Sequence, residues 1–190
     1  MKKSLGPKTL LYPTPVLIIG TYDNDGKADA ATVAWGGICC SDPVCVSISL
    51  RQARYTYEQI KKQKCFTVNI PSERYVAEAD YFGIVSGRDA DKFAAAGLSA
   101  VKSDLINAPI IAEFPLCLEC RLAGEHDLGV HTQFIGEVLD VKLDEDCFDE
   151  QGKPDIKKIL PFLYSPGDMG YYSIASFIAQ GFSVGKKINS

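Results

Sequence analysis

Residues 31–60 read ATVAWGGICCSDPVCVSISLRQARYTYEQI, and this stretch decides the fold class. In its centre, VCVSISL at 44–50 alternates Cys45, Ser47 and Ser49 with apolar residues, the period-2 pattern of a half-buried strand. Upstream, residues 27–35 read as another strand, broken by Gly36-Gly37, and Ser41-Asp42-Pro43 supplies a turn. Downstream, Thr56 is placed to cap a short helix, YEQIKKQK, whose basic C-terminal end suits the helix dipole. Strand, turn, strand and short helix follow one another with no room for a long crossover.

The same grammar extends in both directions. Residues 16–22 form an apolar, β-branched strand that ends at the turn Asp23-Asn24-Asp25-Gly26, where Gly26 is free to take positive φ. Residues 65–70 are a strand closed by Pro71. Residues 73–82 read as helical, and residues 90–96 as a short helix ending at Gly97. Residues 116–123 and 132–143 are later strands with a polar corner, Gly124-Glu125-His126-Asp127, between them. Short hairpin-linked strands with small helical insertions predict a mainly β protein, an antiparallel barrel with helices attached, rather than a doubly wound sheet. No G-x-G-x-x-G follows a strand, which argues against a Rossmann unit. With no repeat, low-complexity run or linker, residues 1–190 read as a single domain.

Composition narrows the classes further. Apolar residues make up 46% and charged residues 23%, which excludes intrinsic disorder. No apolar run approaches the roughly 20 residues of a membrane span. The start, MKKSLGPKTLLYPTP, has the lysines of a signal peptide, but Gly6, Pro7 and Lys8 interrupt any apolar core, so a cytoplasmic protein is expected. A net charge of -4 leaves no basic excess for phosphate backbones, so neither nucleic acid nor a membrane is expected as partner.

Seven cysteines are an odd number, and a chain of this length needs no staples. Cys39, Cys40 and Cys45 lie in an apolar segment and read as buried reduced thiols. Cys117 and Cys120 form a C-x-x-C, but on a strand residues three apart point to opposite faces. Structural thiols are the expectation, with zinc or a redox dithiol the alternative; no metal site is predicted.

Polar chemistry gathers around residues 32–56. Thr32, Trp35, Ser47, Ser49, Arg51, Arg54, Tyr55 and Thr56 bring hydroxyls, guanidiniums and an aromatic ring into one supersecondary unit. An anion at the start of the following helix would meet open N–H groups, and Arg54 could add a bidentate contact. The alternative is an ordinary capped helix with a solvated arginine. Trp35 beside Gly36-Gly37 could flank a flat ligand or belong to the core. His131 opens a long strand and is ambiguous between surface and site. From composition alone, Lys92 in SGRDADKF reads as a solvated helical face.

On these residues the chain resembles the flavin reductase-like, FMN-binding split-barrel superfamily, nearest its flavoredoxin branch. The resemblance runs from YPTPVLIIGTYD through ATVAWGGICCSDPVCVSISLRQARYTYEQI, FTVNIP, VSGRDADKFAAAGL and HTQFIGEV to the FSVGK tail. It implies a six-stranded Greek-key barrel, a homodimer, and one FMN per subunit near the dimer interface. Trp35 would then lie close to the isoalloxazine, with Thr32 nearby and main-chain N–H groups around Ala34, Gly36 and Gly37 along the edge of the ring. Thr56, Arg54 and Ser49 would hold the phosphate. Lys92 and His131 would line the site, His131 donating a hydrogen bond or moving a proton. Asp29 stands where relatives often carry Asn, and an ionised carboxylate accepts but cannot donate. Tyr164, in FLYSPG, would cover the ring.

The function implied is an oxidoreductase that takes electrons or hydride from NAD(P)H through bound FMN to an acceptor. An FMN electron carrier served by a partner protein is the alternative, and a non-enzymatic ligand-binding barrel a third. The apolar segment from Tyr171 to Phe182 would suit an arm packed on a second subunit, or on its own barrel.

Overall fold

The computed structural model describes residues 1–189. The strands are β1 (Thr14–Pro15), β2 (Leu17–Tyr22), β3 (Ala28–Val33), β4 (Gly36–Ser41), β5 (Val44–Arg51), β6 (Cys65–Ile70), β7 (Ala100–Lys102), β8 (Pro109–Ile111), β9 (Leu116–Asp127), β10 (His131–Leu143), β11 (Phe162–Ser165) and β12 (Gly170–Ser173). The α-helices are α1 (Tyr55–Gln63), α2 (Val76–Ile84), α3 (Lys92–Ala96) and α4 (Ile156–Ile159). A seven-stranded sheet runs in the order β3-β2-β6-β9-β10-β5-β4, with every pairing antiparallel. The sheet curls until β3 lies against β5, yet no ladder joins those two strands. The barrel is therefore split there, held by a bond from the Ser49 N–H to the Trp35 carbonyl at 2.8 Å.

Alternation along β2 explains the two-sided core. Leu17 and Ile19 point into the barrel with Val46, Ile48, Leu50, Phe66, Val68 and Phe134. Val16 and Ile18 face the other way, against Phe82 of α2, Phe93 of α3, Phe114 and Phe162. Each of these side chains contributes about 1.5–3 kcal/mol by leaving water. The helical insertion thus belongs to the same packed body as the barrel. Among the described residues no helix is long and apolar enough to cross a membrane.

Several expectations need correction. The strand before Gly36-Gly37 does end, at Val33, but the two glycines begin a further strand, β4, at the edge of the sheet, which has seven strands rather than six. Gly36 is required there, because a Cβ would meet Leu17 Cδ1 at 2.7 Å and the Ser47 carbonyl at 2.8 Å. On that edge Cys39 and Cys40 are exposed, while Cys45 is buried as expected. The supposed corner at residues 124–127 continues β9, and the turn comes at Leu128-Gly129-Val130, with Gly129 at φ 88°. Thr56 is not the cap of α1. The helix starts two residues earlier, at Tyr55 behind Arg54, and no side chain among the described residues caps it.

Candidate functional site

Two cavities open beside the split and meet at Arg54. The wider cleft, about 340 Å³, is lined by Thr32, Ala34, Trp35, Ser49, Arg51, Arg54 and His131, among others. Strand β3 and the turn to β4 form one wall, β5 the other, and His131 reaches it as the register partner of Arg51. The smaller cavity, about 80 Å³, lies at the start of α1 and is lined by Arg54, Tyr55, Thr56, Phe82, Ser86, Gly87 and Lys92, among others.

A buried ion pair organises the smaller cavity. Lys92 Nζ lies 2.8 Å from Asp29 Oδ1, with both side chains only 3% exposed. Lys92 also donates to the Ala30 carbonyl, and the Thr56 hydroxyl donates to Asp29 Oδ2 at 2.6 Å. A buried charge without a partner costs several kcal/mol, so these groups fix one another. Burial pushes the Lys92 ammonium below the ordinary lysine range, against the pull of Asp29. The solvated surface predicted for Lys92 from composition is thus replaced by a buried ion pair. Its helix starts at Lys92 because the Asp91 side chain accepts from the Ala94 N–H, a cap that buries residue 92 beneath it.

The loop over this cavity is pressed down tightly. A Cβ on Gly87 would collide with Asp29 Oδ1 and would sit 2.8 Å from Tyr55 Cδ1, so only glycine fits. Arg88 braces the loop on α1, donating to Glu58 at 3.0 Å and to the Ala53 carbonyl at 3.1 Å, with its guanidinium over the Tyr55 ring. Tyr55 in turn donates to Asp23 at 2.9 Å. The charges nearest the cavity are Arg54 and Lys92 against Asp29, an excess of one positive charge, and α1 adds N–H groups left open by its missing side-chain cap.

The cleft is built differently. Trp35 is partly exposed and stands outside both core clusters, at the cleft wall rather than in the core. The Arg54 guanidinium makes no hydrogen bond or ion pair among the described residues. Thr32 is committed elsewhere, donating to the Ala79 carbonyl, while Ser49 lines the cleft with no side-chain hydrogen bond among the described residues. Burial, helped by Arg51, lowers the His131 pKa, so near neutral pH it is an uncharged imidazole able to accept a proton or a hydrogen bond.

The split thus brings together Thr32, Ala34, Trp35, Ser49, Arg54 and His131 in one cleft, and Thr56 and Lys92 in the adjoining cavity, with Asp29 behind them. Gly36 lies one residue beyond the lining. Tyr164 lines neither cavity; it pairs with Thr14 across β1 and β11 and packs on Tyr171. Sequence reasoning missed the floor and roof of the small cavity, Phe82, Ser86 and Gly87, although the last two lie inside VSGRDADKF. Cys117 and Cys120 are both buried, and burial pushes the Cys117 thiol up to about 12, which keeps it protonated. Among the described residues, no three His, Cys, Asp or Glu side chains are placed to hold a metal.

An antiparallel barrel left unpaired along one seam, between β3 and β5, is a split barrel. The chain belongs to the flavin reductase-like family, whose domain model matches residues 9–173. It is similar over its length to the flavoredoxin of Desulfovibrio vulgaris (Miyazaki F), with 48% identity, a TM-score of 0.93, and 97% of this chain and 100% of that one covered. The flavoredoxin of Methanosarcina acetivorans is similar at 30% identity with a TM-score of 0.92, each chain 99% covered. The reductase component of a 4-nitrophenol 4-monooxygenase/4-nitrocatechol 2-monooxygenase from Rhodococcus opacus is 30% identical over 124 residues, 65% of this chain and 63% of the relative.

Proposed function

We propose that this protein binds FMN and serves as an electron-transfer flavoprotein, with the phosphate in the small cavity and the ring in the cleft beside Trp35. The observation that carries the reading is the shared position of Arg54. It is a cation without a protein partner among the described residues, standing where a cavity of phosphate size opens into a cleft of ligand size. Bound FMN would supply the redox chemistry, taking up and releasing electrons or hydride at its ring. The chain's own residues position and tune it. Arg54 and the open N–H groups of α1 hold the phosphate oxygens. Lys92 and Thr56, fixed by Asp29, form a rigid wall behind them. Trp35 offers a flat apolar face, and His131 accepts or returns a proton at the cleft edge.

The likeness to flavoredoxins over nearly the whole chain favours a carrier served by a protein donor. The likeness to a reductase component favours a second reading, hydride from NADH or NADPH, for which the open cleft leaves access. A homodimer fits both readings, because Phe177, Ile178 and Phe182 are 70%, 94% and 104% exposed and offer apolar surface to a second subunit. Titrating the purified chain with FMN and with riboflavin while following flavin fluorescence tests the site. Quenching at stoichiometric FMN, at least tenfold weaker for riboflavin, is expected; equal affinities would remove the phosphate assignment. Anaerobic mixing of the loaded protein with NAD(P)H separates the donors, since prompt bleaching demands the nicotinamide reading.

A further inference from the structure

At the far end of β4 the chain carries thiols that the flavin reading does not use. Cys40 of β4 and Cys45 of β5 are direct register partners across the hairpin closed by Ser41 and Val44. Cys39 is the extra residue of a bulge between the Ile38 and Cys40 pairings and has no partner on β5. Partners across an antiparallel pair have Cα atoms about 4.5–5.5 Å apart with side chains on one face. A disulfide needs about 4.4–6.8 Å, so Cys40 and Cys45 can be joined without moving either strand. Their exposure is unequal. Cys40 is exposed on an edge strand, whereas Cys45 is only 6% exposed. That asymmetry suits exchange chemistry, with one thiol reachable by a reagent and its partner shielded behind it. All the cysteines are free thiols in the structure.

We propose that Cys40 and Cys45 form a dithiol site that reduces low-molecular-weight disulfides by exchange. The Cys40 thiolate attacks one sulfur of the small disulfide, forming a mixed disulfide and releasing one thiolate, which takes up the proton Cys40 lost. Cys45 then gives up its proton and attacks the Cys40 sulfur, closing the cross-strand disulfide and releasing the second thiol. Two protein thiols are oxidised and one small disulfide becomes two thiols, so electrons and protons balance without another reactant. Cys39, exposed but unpaired, would stop at the mixed disulfide. The core pair Cys117 and Cys120 is out of reach.

Oxidised glutathione, added to the full-length FMN-loaded protein carrying Cys39→Ser, tests this by intact mass. The expected product has lost two hydrogens and carries no glutathione. Cleavage before Asp42, which lies between the two cysteines, should leave the flanking peptides joined until a reductant is added. Adding Cys45→Ser should trap one glutathione on Cys40, and adding Cys40→Ser should abolish the reaction. A stable adduct on the single variant, no reaction, or a disulfide elsewhere overturns the proposal. Should Cys39→Ser disturb folding, the same peptide map on the unmodified chain decides whether residues 40 and 45 are joined.

Discussion

The two cavities that meet at Arg54 satisfy their polar groups in opposite ways. In the small one, Asp29, Lys92 and Thr56 are buried and spend their hydrogen-bonding capacity on one another. In the cleft, Arg54 has no protein partner among the described residues, Trp35 is partly exposed, and His131 is half-buried. The difference follows from desolvation. A lysine and an aspartate taken out of water cannot wait for a ligand to neutralise them, so the fold pairs them in advance. An arginine at the rim keeps its hydration and can exchange it for an anion. The interior pair therefore sets shape, and the rim sets affinity.

Asp29→Ala should break this division most severely. It leaves the Lys92 ammonium buried with only the Ala30 carbonyl as an acceptor among the described residues, and stability should fall by about 3–5 kcal/mol. Urea denaturation of the FMN-free protein measures it. Adding Lys92→Met should restore most of the loss, since the uncompensated charge goes with it. A single variant that costs less than about 1 kcal/mol would mean the pair is hydrated and the two cavities alike.

Arg54→Ala should have the reverse profile. Stability should stay within about 0.5 kcal/mol of the parent, because the side chain is exposed and makes no hydrogen bond or ion pair among the described residues. Charge-assisted bonds are worth about 1.5–3 kcal/mol, so FMN should bind roughly 10- to 100-fold more weakly while riboflavin is unaffected. Fluorescence titration of both flavins against both proteins reads this directly. Equal weakening of the two flavins would assign Arg54 to the ring rather than to the phosphate.

The rim was far more legible in the sequence than the interior. Trp35, Ser49 and Arg54 lie within one strand–turn–helix unit, so local pattern reading brings them together. β2 and β6 were legible too, since each is a short apolar run bounded by turn residues. The Asp29–Lys92 pair joins residues 63 positions apart, across a strand and a loop whose docking no periodicity records. Read alone, Lys92 in a polar run has every mark of a solvated residue. The same limit explains the edge strand. Two glycines are poor strand formers in isolation, but Gly36 is the residue whose missing side chain lets β4 lie on Leu17 and β5. Thr56 lies inside α1 rather than at its cap, and a buried carboxylate 27 residues away takes the hydroxyl that a cap would have given to the helix end.

His131 offers the smallest effect and the finest test of the rim. Its pKa in the folded protein lies below the ordinary value of 6.5, because of burial first and the Arg51 guanidinium second. Between that lowered value and 6.5 the unfolded chain binds more protons at this position than the folded chain. Stability at that position must therefore rise with pH across the window and fall on acidification through it. The slope cannot exceed about 1.4 kcal/mol per pH unit for one proton. Urea unfolding of the FMN-free protein from pH 5 to pH 7 should show this gain, and His131→Asn should remove its share while leaving the rest of the profile in place. Arg51→Gln should shrink the same contribution without abolishing it, since burial persists when the neighbouring charge is gone. If the His131→Asn profile instead runs parallel to the parent, the imidazole is as solvated as in the unfolded chain. The β5–β10 wall of the cleft would then be looser than the register of His131 with Arg51 implies.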